Sequence, residues 1–334
     1  MRRCGRHLLS CPLIGQKTRI IFLGFLLTFV SIPCQGEVKV LDSSCATFNQ
    51  QLNAIKNAAQ LTCSDGDLNK LNDCFQAHFL RQGERMELTN EGKVQTELVS
   101  LYESYTALTL PVGPKSLKYD LVVILGSTFG NMQHRLQNVL NHFNDGLRFE
   151  RIVVLGSTRK MDARMESEKI LREFSEAGLM GARPQGNHPL PTTEAQAAQY
   201  IVDYSQWPLG FPAITVLDTP CPTGKKRADT ADTIYTLKKQ VDFLKPGSKI
   251  LFVSSQPFAL KQSEDIRSAL KGEYNFDMMA DVVLIKAHPL DQPFAYKNMN
   301  DNIARLLYQV LKNHEAGFSN SCPTLIIKSE RNEL

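Results

Sequence analysis
The chain is 334 residues long, 43% hydrophobic and 22% charged, with a formal net charge of +4. That is the composition of a globular protein and excludes a disordered, collagen-like or low-complexity chain. The basic excess sits at the front, and without residues 1–36 the formal charge is about −1, so neither nucleic acid nor an acidic membrane surface is an expected partner.

At that front, Arg2, Arg3, Arg6, Lys17 and Arg19 precede the apolar run Ile20 to Val30, and Cys34-Gln35-Gly36 supplies small residues at cleavage spacing. This is the layout of a secretory signal peptide over residues 1–36. Its eleven-residue apolar run falls short of the roughly 20 that cross a bilayer, so no membrane span is expected once it is removed. The mature chain keeps Cys45, Cys63, Cys74, Cys221 and Cys322 in a compartment that tolerates disulfides. An odd number leaves the pairing open. Cys45, Cys63 and Cys74 fall within 30 residues, where a bond would staple a small helical hairpin; the spacings do not suit zinc, and no metal is expected.

Residues 37–115 read as a helical segment. Phe48, Leu52, Ile55 and Ala59 share one helical face; after the turn Ser64-Asp65-Gly66-Asp67, Leu68, Leu71, Phe75 and Phe79 share a second, and Leu98, Leu101, Tyr105 and Leu108 a third. Pro111, Gly113 and Pro114 then break the pattern.

Over residues 116–313 strand and helix alternate. Strands are predicted at Asp120 to Leu125, Arg151 to Leu155, Ala213 to Leu217, Lys249 to Val253 and Asp281 to Ile285. Helices are predicted at Met132 to Phe143, Arg164 to Phe174, Glu194 to Tyr204, Thr230 to Leu244, Gln262 to Leu270 and Asn300 to Leu311. Alternation of this kind implies right-handed crossovers and a Rossmann-like, three-layer α/β fold with a doubly wound, mainly parallel sheet of about five strands, preceded by the helical segment. Two helices separate the second and third strands, and the proline- and glycine-rich stretch Gly178 to Pro191 between them reads as an inserted lobe or flap beside the strand ends.

Parallel sheets bind ligands at the carboxyl ends of their strands. Three such ends carry glycine or hydroxyl side chains: Gly126-Ser127-Thr128, Gly156-Ser157-Thr158 and Ser254-Ser255. The first leads into a helix whose N–H groups, with Arg135 one turn on, would hold an anion; the alternative is a plain βα turn with a hydroxyl cap. Arg159 and Lys160 add positive charge to the second. There is no P-loop, no G-x-G-x-x-G fingerprint and no G-x-S-x-G elbow, and His288 is the only histidine expected at this edge. Glu194 either caps a helix together with Thr193 or faces the site as an acid or base. Asp229 and Asp232, three apart around Thr230, either cap the next helix, work as paired carboxylates or hold a cation.

In this order, Leu121 to Thr128 with Arg135, Leu155-Gly156-Ser157, Thr193-Glu194-Ala195, Asp229-Thr230-Ala231-Asp232-Thr233 and Ser254-Ser255-Gln256-Pro257-Phe258 with Lys261 resemble the successive motifs of the SanA/YdcF-like family of bacterial envelope proteins, a domain family of unknown function. The resemblance spans about Lys118 to Leu311 and is one of order and spacing: the family's Ser-Gly-Gly is Gly-Ser-Thr here, its Glu-Asn is Asp232-Thr233, and Phe258 stands at its histidine. It implies a Rossmann-like three-layer fold and a role at the cell envelope. It carries over Arg135, Glu194, Asp229, Thr230 and the strand-end loops as site residues.

The expected protein is an exported binder of an anionic, phosphate- or nucleotide-like small molecule. Gly126, Ser127, Thr128, Arg135, Gly156, Ser157, Thr158, Thr230, Ser254 and Ser255 would contact the ligand, and Glu194, Asp229 and Asp232 would be catalytic. As an enzyme it would be a transferase or hydrolase acting on a phosphate-linked substrate; the alternative is a non-catalytic envelope biogenesis or barrier factor. No motif names a cofactor or an oligomeric state. The tail 314–334 ends Arg331-Asn332-Glu333-Leu334, similar to an endoplasmic-reticulum retrieval signal, so the periplasm or extracellular space is the expected location and the reticulum lumen the alternative.

Overall fold
A strand that is apolar on both faces needs cover on both, and the runs that end at Leu125-Gly126-Ser127-Thr128 and Leu155-Gly156-Ser157-Thr158 sit side by side in the middle of a sheet. The computed structural model describes residues 45–63, 67–81, 92–183, 189–240, 245, 247–271 and 273–326. The expected signal peptide, residues 184–188 of the expected flap, and the last four residues lie outside them. Strands β1 (Lys118–Ile124), β2 (Arg148–Ser157), β3 (Ile214–Thr219), β4 (Ile250–Ser255) and β5 (Phe276–Asp281) form a wholly parallel sheet in the order β3-β2-β1-β4-β5.

Helices α5 (Phe129–Asn144), α6 (Glu168–Ala177) and α7 (Glu194–Tyr204) bury their apolar stripes against Val122 and Ile124 on one face. Helices α8 (Thr230–Gln240) and α9 (Ala259–Ala269) pack against Leu121, Val123 and Leu125 on the other. This is the expected Rossmann-like three-layer arrangement. The helical segment supplies α1 (Ala46–Ala58), α2 (Leu68–His78), α3 (Thr96–Ser104) and α4 (Thr106–Thr109), which share a separate core with α11 (Pro293–Glu315) around Phe48, Leu71, Tyr102 and Leu306. Because α11 and α4 both touch α9, these helices form a fourth layer outside it.

Two disulfides tie this layer down. Cys45–Cys322 joins the start of α1 to the chain after α11, and Cys63–Cys74 joins the α1–α2 connection to α2, while Cys221 is an exposed free thiol. His78 lies near Cys63 and Cys74, but sulfurs spent in a disulfide are not thiolate ligands. Gln256 Nε2 donates to Ala107 O at 3.1 Å and Leu110 O at 2.9 Å, fixing α4 to the end of β4.

The fifth strand lies earlier than predicted. Pairing with β4 runs from Ile250↔Phe276 to Ser255↔Asp281, and β4 ends there, so a strand continuing past Asp281 would have no neighbour. Val283–Ala287 instead forms a short helix, α10. Helix α11 begins at Pro293, in the first turn where proline lacks no needed N–H, well before the predicted Asn300. The described ends of the Gly178 to Pro191 stretch lie apart: Gly178 is closed against Tyr204 at the end of α7, and Thr192 O accepts from Met161 N near its start.

Gly156 shows how tightly α7 seats on the sheet. A Cβ at that position would lie 2.5 Å from Ala195 Cα and 2.8 Å from Ala195 Cβ. Gly156→Ala is expected to lower the unfolding free energy by about 1–3 kcal/mol through overpacking, read from a denaturant midpoint. Gly130→Ala, in α5 with open space around it, is the control and should be neutral or slightly stabilising.

Candidate functional site
The strand order reverses between β1 and β4, since β2 and β3 lie on one side of β1 and β4 and β5 on the other. Ligands of open α/β sheets bind in the crevice outside the carboxyl ends at such a point. A cavity of about 280 Å³ opens there, floored by Leu125 to Thr128 after β1 and by Pro257 and Phe258 after β4. The N-terminal turn of α8 contributes Arg227 to Thr230, and α11 closes the far side with Asn298, Asp301, Asn302 and Arg305. Lysine and arginine lining outnumbers acidic lining, through Arg81, Arg135, Arg159, Arg227, Lys261 and Arg305 against Glu194, Asp229 and Asp301.

Arg135 is the centre of this charge. Its position on the sheet-facing side of α5 places the side chain under the β1 end, where it is 1% exposed. Nη1 donates to Leu125 O at 2.6 Å and Gly126 O at 3.1 Å, and Nε donates to Ser255 Oγ at 3.2 Å. Nη2 has no hydrogen-bond partner among the described residues, and the residue lines the cavity. Burial pulls the guanidinium pKa down to about 10, against the opposing fields of Asp281 and Glu194. It is still a cation at neutral pH.

Glu194 opens α7, with Thr193 Oγ1 capping Gln196 N. The side chain is 7% exposed and its Oε2 accepts from the Ser157 hydroxyl, while Oε1 has no hydrogen-bond partner among the described residues. Gly126 makes this approach possible, because a Cβ there would lie 2.7 Å from Glu194 Oε1 and 2.5 Å from Leu155 O. Burial pushes the Glu194 pKa up, opposed by Arg159, the Ser157 hydroxyl and Arg227 and reinforced by Glu166. A carboxyl with a raised folded-state pKa holds its proton more tightly when folded, so the stability it confers is complete below the ordinary value of 4.5 and is lost as pH rises through the folded value. From pH 4 to pH 8, at roughly these limits, wild type should lose stability that Glu194→Gln keeps. Thermal unfolding of both proteins across that range checks it, and parallel pH curves would contradict it.

The anion expected at the start of α5 is supplied by the protein itself. Glu166, 3% exposed, accepts from Phe129 N at 2.7 Å and Asp162 N at 2.8 Å, and pairs both oxygens with Arg159 at 3.2 Å. Arg159 in turn donates to Ser127 O at 3.2 Å and lies 3.8 Å from Glu194 Oε2. Thr128 makes no capping bond to α5 and lines the cavity, as does Ser127.

Of the residues predicted for the site, Gly126, Ser127, Thr128, Arg135, Glu194, Asp229 and Thr230 line the cavity together. The others stand behind it or apart. Gly156 packs on Ala195, Ser157 and Ser255 hold Glu194 and Arg135, and Ser254 donates to Gln262 Oε1. Thr158 is exposed and accepts from Cys221 N at 3.1 Å. Asp229 and Asp232 cap α8 reciprocally, at 2.9 and 3.0 Å, and both grip Lys225 Nζ at 2.7 Å. Burial works to raise the Asp229 pKa, but Lys225 and the Asp232 N–H hold it below its ordinary value.

The wall furthest from the sheet escaped the sequence reading. Asp301, 2% exposed, accepts from Arg81 Nη1 at 2.8 Å and from Arg305 Nε at 3.0 Å. The i, i+4 spacing of Asp301 and Arg305 is visible in the sequence, but nothing local points Arg81 at a residue 220 positions away. Comparison with family models, curated proteins and solved structures finds no match to this chain.

Proposed function
We propose that the cleft binds an anionic small molecule through a phosphate-like group. One observation carries this reading: a buried arginine that lines the cavity and whose Nη2 has no hydrogen-bond partner among the described residues. An arginine held so deeply keeps one edge open for an oxygen ligand, with Arg159 and Arg227 supplying further positive potential. Glu194, with its proton affinity raised and its Oε1 without a hydrogen-bond partner among the described residues, is the group that would take or give a proton beside the bound anion. The activity that suits these parts is transfer or hydrolysis of a phosphate-linked group by an exported protein of the SanA/YdcF-like kind.

A non-catalytic binding factor at the envelope is the second reading, and a specific observation favours it. The carboxylates that would complete a pair with Glu194 are engaged elsewhere, because Lys225 bridges Asp229 and Asp232. Release of inorganic phosphate from phosphate esters, abolished by Glu194→Gln, supports the enzyme; binding without turnover supports the factor.

The binding claim is tested by thermal shift with inorganic phosphate, pyrophosphate and nucleotides at constant ionic strength. A ligand present at 100 times its Kd should add about 2.7 kcal/mol of apparent stability. Arg135→Lys, which keeps the charge but not the fork, should abolish that increment relative to its own ligand-free baseline. Absence of any shift with every anion would overturn the reading.

A further inference from the structure
The same cavity has an apolar wall that the protein leaves half open. Helix α10 carries Val283, Leu284 and Ile285, yet none of its residues is buried. Leu284 and Ile285 line the cavity together with Phe294 from α11, all three at intermediate exposure, and Pro257 and Phe258 continue the surface. Leu290 and Ala295, both buried, line the same cavity and belong to the helical core, so the apolar lining is continuous with that core. Large apolar side chains facing water within a cleft gain about 25 cal/mol for each Å² that a ligand covers. Arg135 lines the same cavity, and on the reading above it takes an anion. A ligand satisfying both is charged at one end and apolar at the other.

We propose that the ligand is a phosphate monoester with an apolar alkyl or aryl body, its phosphate at Arg135 and its body against Leu284, Ile285 and Phe294. This rests on the anion-binding reading and adds the chemical class of the group that carries the phosphate. Free phosphate would leave the wall wet, and a sugar phosphate would set hydroxyls against aliphatic carbon without a gain.

The test is isothermal titration of the whole mature chain, at fixed ionic strength, with inorganic phosphate, glucose 1-phosphate, hexyl phosphate and phenyl phosphate. One or both apolar esters should bind about tenfold more tightly than inorganic phosphate, a difference of roughly 1.4 kcal/mol, while glucose 1-phosphate gains nothing. Hexyl against phenyl phosphate separates an aliphatic body from an aromatic one. The double variant Leu284→Ser/Ile285→Ser, at positions open enough to keep the fold, should reduce the advantage to below threefold and leave inorganic phosphate unchanged. Equal binding of glucose 1-phosphate and the apolar esters, or an advantage untouched by the double variant, overturns the proposal even where phosphate itself binds through Arg135. Failure of all four probes overturns the proposal, and the anion site falls with it where pyrophosphate and nucleotides fail as well.

Discussion
Replacing Cys45 and Cys322 by serine, in a Cys221→Ser background that prevents exchange, is expected to remove about 5 kcal/mol of stability. The bond spans 277 residues, so the ring it closes contains the whole α/β sheet, and in the chain-entropy account the unfolded state is constrained in proportion to the logarithm of that length. Without the bond the segment is still held by Leu325, buried in the helical core, by its exchange of hydrogen bonds with Gln51, and by Ile326 O, which accepts from Thr106 N at 2.7 Å. Removing Cys63–Cys74, which spans 11 residues, should cost about 3 kcal/mol on the same account. Against a typical total of about 5–15 kcal/mol, the first loss brings the protein near its unfolding threshold at 37 °C. Denaturant unfolding followed by far-ultraviolet circular dichroism measures both. If the long bond costs no more than the short one, the loop-length argument fails for this chain.

Arg135→Gln should be nearly as damaging, by about 3–5 kcal/mol, because it removes one partner from a buried charge network. The guanidinium satisfies two strand-end carbonyls and Ser255, and it balances the charges of Asp281 and Glu194. Asp281 depends on that charge, since both of its carboxylate oxygens are buried without a hydrogen-bond partner among the described residues. Adding Asp281→Asn to Arg135→Gln should therefore cost less than the sum of the two single losses, by roughly 1 kcal/mol or more in a double-mutant cycle. Strict additivity would separate Asp281 from the site. The outcome also bears on function: the network that stabilises the sheet edge is the one that presents Nη2 to the cavity, so stability and binding should fall together in this variant and separately in Leu284→Ser/Ile285→Ser.

Much of the molecule is legible in the chain alone, for reasons that particular elements make plain. Helix α7 runs from Glu194 to Tyr204 as its periodicity and its Thr193 cap predict, because both are properties of consecutive residues. The parallel sheet is equally readable, since strands covered on two faces must be apolar throughout and must be joined by helices. The fifth strand reads too late in the sequence because an apolar, mostly β-branched run, Val282 to Ile285, outweighs the weaker alternation of Phe276, Met278 and Ala280 wherever the end of the neighbouring strand is unknown.

What the sequence by itself determined is the class of fold, the edge of the sheet at which glycine, hydroxyl and basic side chains gather, and seven of the residues that line the cavity there. Tertiary structure alone decided their roles. It buried Arg135 to 1% exposure, put Glu166 where a ligand was expected at the start of α5, closed Asp229 and Asp232 on Lys225, and brought Arg81 across to Asp301 to make the far wall. Periodicity specifies which face of an element turns inward, but the partner of a charge is set by whatever segment the fold places opposite it, and those segments lie 37 residues apart for Ser157 and Glu194 and 220 for Arg81 and Asp301.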